Sequence, residues 1–119
     1  MLPYKRSQRV SDLLREEISD IIFHKLQDPR IGFVTVTGVD VTDDLKMAFV
    51  YVSIFKEEER KTTLDILNSA KSFIRGDLAK KLRLRSIPGI EFRLDASIEY
   101  GDKIERLINE IRKKDEGSS

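Results

Sequence analysis

A chain of 119 residues with 39% apolar content lies in the size range of one domain and carries enough hydrophobic side chains for one compact core. Its 22 lysines and arginines against 21 aspartates and glutamates leave a formal net charge of only +1, but the charge is zoned: acids gather at Asp40, Asp43, Asp44 and Glu57 to Glu59, cations at Lys5 to Arg9 and Lys71 to Arg85. Without cysteine there is neither a disulfide framework nor a thiolate zinc site, and the composition fits a reducing compartment, expected to be the cytoplasm.

At the start, "MLPYKRSQRVSDLL" has no apolar core of an export signal, and no stretch approaches the roughly 20 apolar residues of a membrane span. From Ser7 to Leu26 the residues Val10, Leu13, Leu14, Ile18, Ile21, Ile22 and Leu26 recur at spacings of three and four and predict a helix with one apolar stripe, ended by Pro29 and Gly32 in "QDPRIG". "FVTVTGVDV" alternates Val34 and Val36 with threonines, then changes phase after Gly38 to Val39 and Val41, which predicts a strand with a bulge at the glycine. "DDLKM" is a tight connection into "MAFVYVSIF", where Ala48, Val50, Val52 and Ile54 share one face and Met47, Phe49, Tyr51 and Phe55 the other, so the two strands form an antiparallel hairpin. A long helical pattern follows from about Glu58 to Leu82. Gly76 lies inside it, and the roughly 1 kcal/mol that an interior glycine costs predicts a bend or break there or just before. "IPGIEFRLD" predicts a third strand, and Asp102 with Glu105 predicts the cap of a last helix carrying Ile104, Leu107, Ile108 and Ile111. The order is α+β, a three-stranded sheet covered by helices on one face, in a single domain over residues 1–113, with a frayed tail at 114–119.

Catalytic chemistry is sparse in this order of elements. His24 is the only histidine and sits near a helix end without an evident orienting partner. The acids of "VDVTDDLK" lack the alternate ligand spacing of a calcium loop and read as a polar hairpin turn. No phosphate-cradling glycine motif is present, and Arg75-Gly76-Asp77 is a chance tripeptide. We expect a protein that is no enzyme, with no catalytic or metal-binding residue and no cofactor.

The segment from Lys71 to Arg85 is informative. It holds six cations, Lys71, Arg75, Lys80, Lys81, Arg83 and Arg85, against one acid, Asp77, where a solvated helix would mix signs. At 100° per residue Ala70, Phe73, Ile74 and Leu78 fall on a buried arc, Lys71 and Arg75 share one flank, and Ser72, Gly76, Ala79 and then Arg83 face outward. A strip of small residues bordered by cations lets a phosphate backbone approach closely, which points to nucleic acid. Lys5, Arg6 and Arg9 form a second cationic group. Phe49 and Tyr51, on the strand face opposite the core, are placed either to stack on bases or to pack across strands.

Over nearly the whole chain, from "RSQRVSDLLREEISDII" to "IEYGDKIERLI", and above all in the spacing of Phe73, Ile74, Arg75, Leu82 to Arg85, Pro88 and Phe92, the sequence resembles bacterial ribosome-binding factor A. The resemblance implies a KH-like fold of the α-β-β-α-α-β order, and binding to the small (30S) ribosomal subunit through its 16S rRNA during late maturation and rRNA processing. It also implies release before translation and a part in cold adaptation, by a monomer. In place of the GxxG loop of KH domains, which is absent here, the family has a helix–kink–helix with an alanine-x-glycine break. This maps onto Ala70-Lys71-Ser72, with serine at the glycine position and Gly76 nearby as a further close-approach position. A different reading makes the chain an interaction module that docks on ribosomal proteins through its aromatic strand face.

Overall fold

The computed structural model describes residues 5–117, the side chains of 98, 99, 102 and 115–117 apart. The elements run α1 (Arg6–His24), β1 (Val34–Val41), β2 (Met47–Ile54), a 3-10 turn (Glu57–Glu59), α2 (Arg60–Ser69), α3 (Lys71–Lys81), β3 (Gly89–Leu94) and α4 (Ala96–Gly117). The sheet has the order β1-β2-β3, with β1 antiparallel and β3 parallel to β2. A parallel pair needs a long crossover, and α2 with α3 supplies it.

Period-2 alternation places Ala48, Val50, Val52 and Ile54 of β2 and Ile90 and Phe92 of β3 on one buried face. On β1 the register shifts between Val36 and Gly38, so the bulge restores Val41 to that face together with Val36. Against it lie Val10, Leu14, Ile18, Ile21 and Ile22 of α1, Leu67 of α2, and Ile74 and Leu78 of α3. Leu13, expected in the α1 stripe, is 39% exposed because it stands at the stripe's edge. Buried Thr63 accepts a hydrogen bond from the Gly32 N–H at 3.1 Å, which ties the chain after α1 to α2. In the hairpin turn Leu45 adopts φ 61°, and its N–H donates to the Thr42 carbonyl at 2.8 Å.

Two expectations change. The long helical segment does break, but at Ala70 rather than at or just before Gly76; Gly76 lies within α3, and a Cβ added to it would meet nothing within 4 Å. The last helix begins at Ala96, capped by Asp95, whose Oδ1 accepts the Ser97 N–H at 2.9 Å and the Ser97 hydroxyl at 2.6 Å. Those hydrogen bonds from Ser97, joined by one from Thr37, hold the Asp95 carboxyl below its ordinary pKa. Asp102 therefore falls inside α4. That helix continues to Gly117, and its Ile104, Leu107, Ile108 and Ile111 are 37–60% exposed, so its apolar stripe is largely unburied. Residues 118–119, the end of the expected tail, lie outside the described residues.

The joint between crossover and sheet is a single side chain. Asn68, at the end of α2, accepts the Phe92 N–H at 2.9 Å and donates to the Phe92 carbonyl at 3.2 Å, standing where a neighbouring strand would. Asn68→Ala would leave both backbone groups without a partner and should lower stability by about 1–3 kcal/mol. Denaturant unfolding checks this, and an unchanged midpoint would show that the bridge contributes nothing.

Candidate nucleic-acid interface

The elbow between α2 and α3 is built locally. Ala70 has φ −87° and ψ 1°, outside helical geometry, and its N–H is shared between the carbonyls of Ile66 at 3.0 Å and Leu67 at 3.1 Å. Its own carbonyl accepts the Ile74 N–H at 3.0 Å and restarts the ladder. Ala70 is half-buried, packed against the core on one side and lining an open cleft with Phe73 and Leu26 on the other.

Beyond the elbow, α3 buries Ile74 and Leu78 and turns Ser72, Gly76 and Ala79 to solvent. Phe73, expected on the buried arc, is 53% exposed: only two positions of α3 reach the sheet, and Phe73 stands on the flank toward Leu26 and Ile31. Lys71 and Lys80 are exposed, as are Arg83 and Arg85 on the segment leading to β3. Arg75 is engaged as well as accessible. Its Nε donates to the Pro88 carbonyl at 3.1 Å and its Nη2 to the Ile87 carbonyl at 3.0 Å, so it braces that segment, and among the described residues no acid pairs with its charge.

Lys81 departs most from its expected role. Its Nζ lies 3.4 Å from Asp20, 3.6 Å from Asp77 and 3.8 Å from Glu17, so the ammonium is spent on acids of α1 and of its own helix. The lone acid of the segment thus does have a partner four residues on, and a second in Lys25 at 2.6 Å. Lys25 holds the Asp77 carboxyl below its ordinary pKa against the opposing effect of burial, with Lys81 adding to it. Lys81 is raised, because Asp77, Asp20 and Glu17 together outweigh burial, which pushes it down. Lys25–Asp77–Lys81 is a clamp between α1 and α3, and Asp77 is only 12% exposed within it.

The two cationic groups meet. Arg6 at the start of α1 and Arg85 border one cleft of about 430 Å³ with Lys46 of the hairpin turn, over a floor that includes Val10, Leu84 and Pro88. Lys46 was hidden in the sequence by its neighbours Asp43 and Asp44. Asp44, also in this cleft, is kept ionised by the Thr42 hydroxyl at 2.7 Å and the Lys46 N–H at 3.1 Å. Lys5 is exposed at the N-cap of α1, and Arg9 is exposed one helical turn later, facing solvent with its own polar contact. Phe49 is not open for stacking: the Arg93 guanidinium lies 4.2 Å from its ring centroid and is held there by Glu91 at 2.5 Å. Among the described residues no group of three or more His, Asp or Glu is arranged to hold a metal ion, and no helix is long and apolar enough to cross a membrane.

The Asp77 clamp predicts a pH dependence. A carboxyl whose folded pKa is depressed adds stability that is present above its unfolded pKa, about 3.9, and is lost as pH falls through the lower folded value. Acidification below about pH 4 should therefore destabilise the protein, and Asp77→Asn should lose less over the same range; equal acid sensitivity of the two proteins by thermal unfolding would exclude the clamp as a contributor.

Residues 6–108 match the family model described as ribosome-binding factor A. A ribosome-binding factor A of Thermodesulfovibrio yellowstonii is 52% identical over 116 residues, covering 98% of each chain, and that of Macrococcus caseolyticus is 50% identical over 109 residues, covering 91% of this chain and 96% of its own. Among solved structures, a solution structure of a Thermotoga maritima protein, a putative ribosome binding factor A by its description, aligns with a TM-score of 0.69 at 38% identity, over 78% of this chain and 90% of that one. A homology model of the Thermus thermophilus ribosome binding factor A, fitted into the cryo-EM map of a 30S complex, aligns with a TM-score of 0.61 at 32% identity, over 70% of this chain and 88% of that one. The chain belongs to the ribosome-binding factor A family.

Proposed function

We propose that this chain is a non-enzymatic assembly factor that binds the small ribosomal subunit and its 16S rRNA during late maturation and rRNA processing. In this reading it works as a cytoplasmic monomer, with the outward face of α3 as its RNA contact. Support comes from the family, from the 30S complex of the Thermus thermophilus relative, and from the charge of this face. Gly76 carries the reading. A glycine inside a helix costs about 1 kcal/mol relative to alanine. Nothing within the fold requires it, since a Cβ would meet open space and φ is not positive. A position that gives up stability without an internal reason is explained by a partner whose backbone must come close. Lys71 gives up stability in the same sense. It is the first residue of α3, at the positive end of the helix dipole, in a first turn that holds no acid. Phosphate approaching over Ser72 and Gly76 offsets the Lys71 cost and occupies the space that the glycine leaves open.

The groups assigned to phosphate are Lys71, Arg75, Lys80, Arg83 and Arg85, with Arg6 and Lys46 extending the surface around the cleft; Lys81 is assigned to the fold. With about five phosphates neutralised, log K for purified 30S subunits should fall with log salt at a slope of roughly −3.5 to −4.5. Lys71→Glu with Lys80→Glu should flatten that slope and leave the unfolding midpoint nearly unchanged. Lys81→Gln should do the reverse, lowering the midpoint at an unchanged slope, and a slope near zero for the native protein would remove the electrostatic reading.

Steric probes separate the face from its charge. Gly76→Ala should raise stability by about 0.5–1 kcal/mol. Ser72→Trp should keep the unfolding midpoint yet abolish 30S binding, and with it maturation of 16S rRNA ends in cells that depend on this protein. Native affinity in Ser72→Trp would move the RNA contact to the cleft of Arg6, Lys46 and Arg85.

A further inference from the structure

We infer that the groove between α1 and the free edge of β1 docks an extended, cationic peptide segment of a protein partner, which adds to the sheet as a strand beside β1. This surface is separate from the α3 face and does not rest on the RNA reading.

The sheet has two edges, and they are treated differently. At β3 the outward groups of Phe92 are taken by Asn68. At β1 the far end is closed as well, where the Val41 N–H donates to Ser11 Oγ at 3.3 Å. The near end is open. The Phe33 carbonyl accepts the Phe55 N–H at 3.0 Å, so Phe33 and, by alternation, Thr35 face β2, and Val34 and Val36 direct their N–H and C=O outward. Outward groups on an edge strand are a template for pairing; β1 carries neither lysine nor proline to blunt it, and its bulge between Val36 and Gly38 limits the open stretch to Val34 and Val36.

These groups border a groove of about 800 Å³ whose lining includes Glu16, Glu17, Asp20, Phe23 and Phe33. Phe23 is 82% and Phe33 83% exposed, and Phe55, paired with Phe33, is 81% exposed; Phe23 meets the edge of the His24 ring, at 4.7 Å between centroids, and much apolar surface faces solvent here. The charge of the groove selects the occupant. No lysine or arginine is among its lining residues, and Glu16 makes no ion pair among the described residues. Lys81 offsets part of the charge of Glu17 and Asp20 from the α3 side, and His24, also in the lining, lies 3.4 Å from Asp20, so Glu16 is the acid that selects a cationic occupant. The Glu59 carboxylate adds a further acid beside Gly32 at the groove's end. RNA is repelled here, as is an acidic peptide. A strand that alternates cations with apolar residues meets the carboxylates with one face and the phenylalanines with the other, while its backbone pairs with Val34 and Val36.

The test uses the full chain, isotope-labelled, titrated with a peptide of about eight alternating lysines and valines. Amide shifts and new exchange protection at Val34 and Val36 are expected. Affinity should drop at least about tenfold for Glu16→Lys, an exposed position that keeps the fold. A peptide N-methylated at alternate residues should bind equally weakly, and this arm needs no protein variant. Shifts absent from Val34 and Val36, equal binding of a glutamate–valine peptide, or displacement of the same amides by a single-stranded RNA oligomer would each overturn the proposal.

Discussion

Two parallel strands side by side force the chain to leave one end of the sheet and return to the other, and everything distinctive in this molecule follows from how that return is made. β2 has eight residues, about 26 Å of strand. The helical pattern between β2 and β3, wound as one straight rod from Glu58 to Leu82, would measure about 37 Å and overshoot the sheet it must cover. Dividing it into α2 and α3, of ten and eleven residues, keeps both segments over the apolar face, with Leu67 serving on one side of the elbow and Ile74 and Leu78 on the other. Asn68 fixes the division two residues ahead of Ala70 by taking the place of a strand at Phe92.

Periodic features were legible in the sequence because they repeat. The α1 stripe, the alternation along β2 and the change of phase at Gly38 are each carried by several residues, and tertiary packing only confirmed them. The position of the elbow was not legible from propensity. Gly76 has the weaker intrinsic helix preference, but the break is placed by the length of the sheet and by Asn68, and both act through contacts remote in sequence. The alanine-x-glycine break of the family, mapped onto Ala70-Lys71-Ser72, pointed to the place where α2 ends and α3 begins. Within the candidate site the same division holds. The small outward strip and the exposed cations could be read from helical angles. The partners of Lys81 on α1, the bracing of the loop by Arg75 and the meeting of Arg6 with Lys46 and Arg85 involve residues a dozen to eighty positions apart, and no local pattern encodes them.

A nearly neutral chain thus uses its charges in two ways. Lys25, Asp77, Lys81 and the acids of α1 neutralise one another where α1 meets α3, and Asp77, largely shielded from water, ties its two partners together. Compensating charge inside the fold leaves the remaining cations of α3 and its following segment without internal acids, so their field is directed outward. Glu16, one helical turn from Asp20 on α1, is left without an ion pair among the described residues and faces the groove beside β1.

The parallel pairing also sets an order of assembly. The hairpin closes a loop of about five residues, whereas joining β3 to β2 closes one of about thirty-five, an extra entropic cost of about 2 kcal/mol that must be met before any contact of β3 repays it. The hairpin can therefore form with β3 still detached, but in that state Asn68 has lost the backbone it grips, Arg75 has lost the Ile87 and Pro88 carbonyls, and the elbow has no template. The cationic face is therefore tied to the long closure rather than to the short one: its elbow and its Arg75 brace exist only where β3, with Ile90 and Phe92 in the core, has joined the sheet.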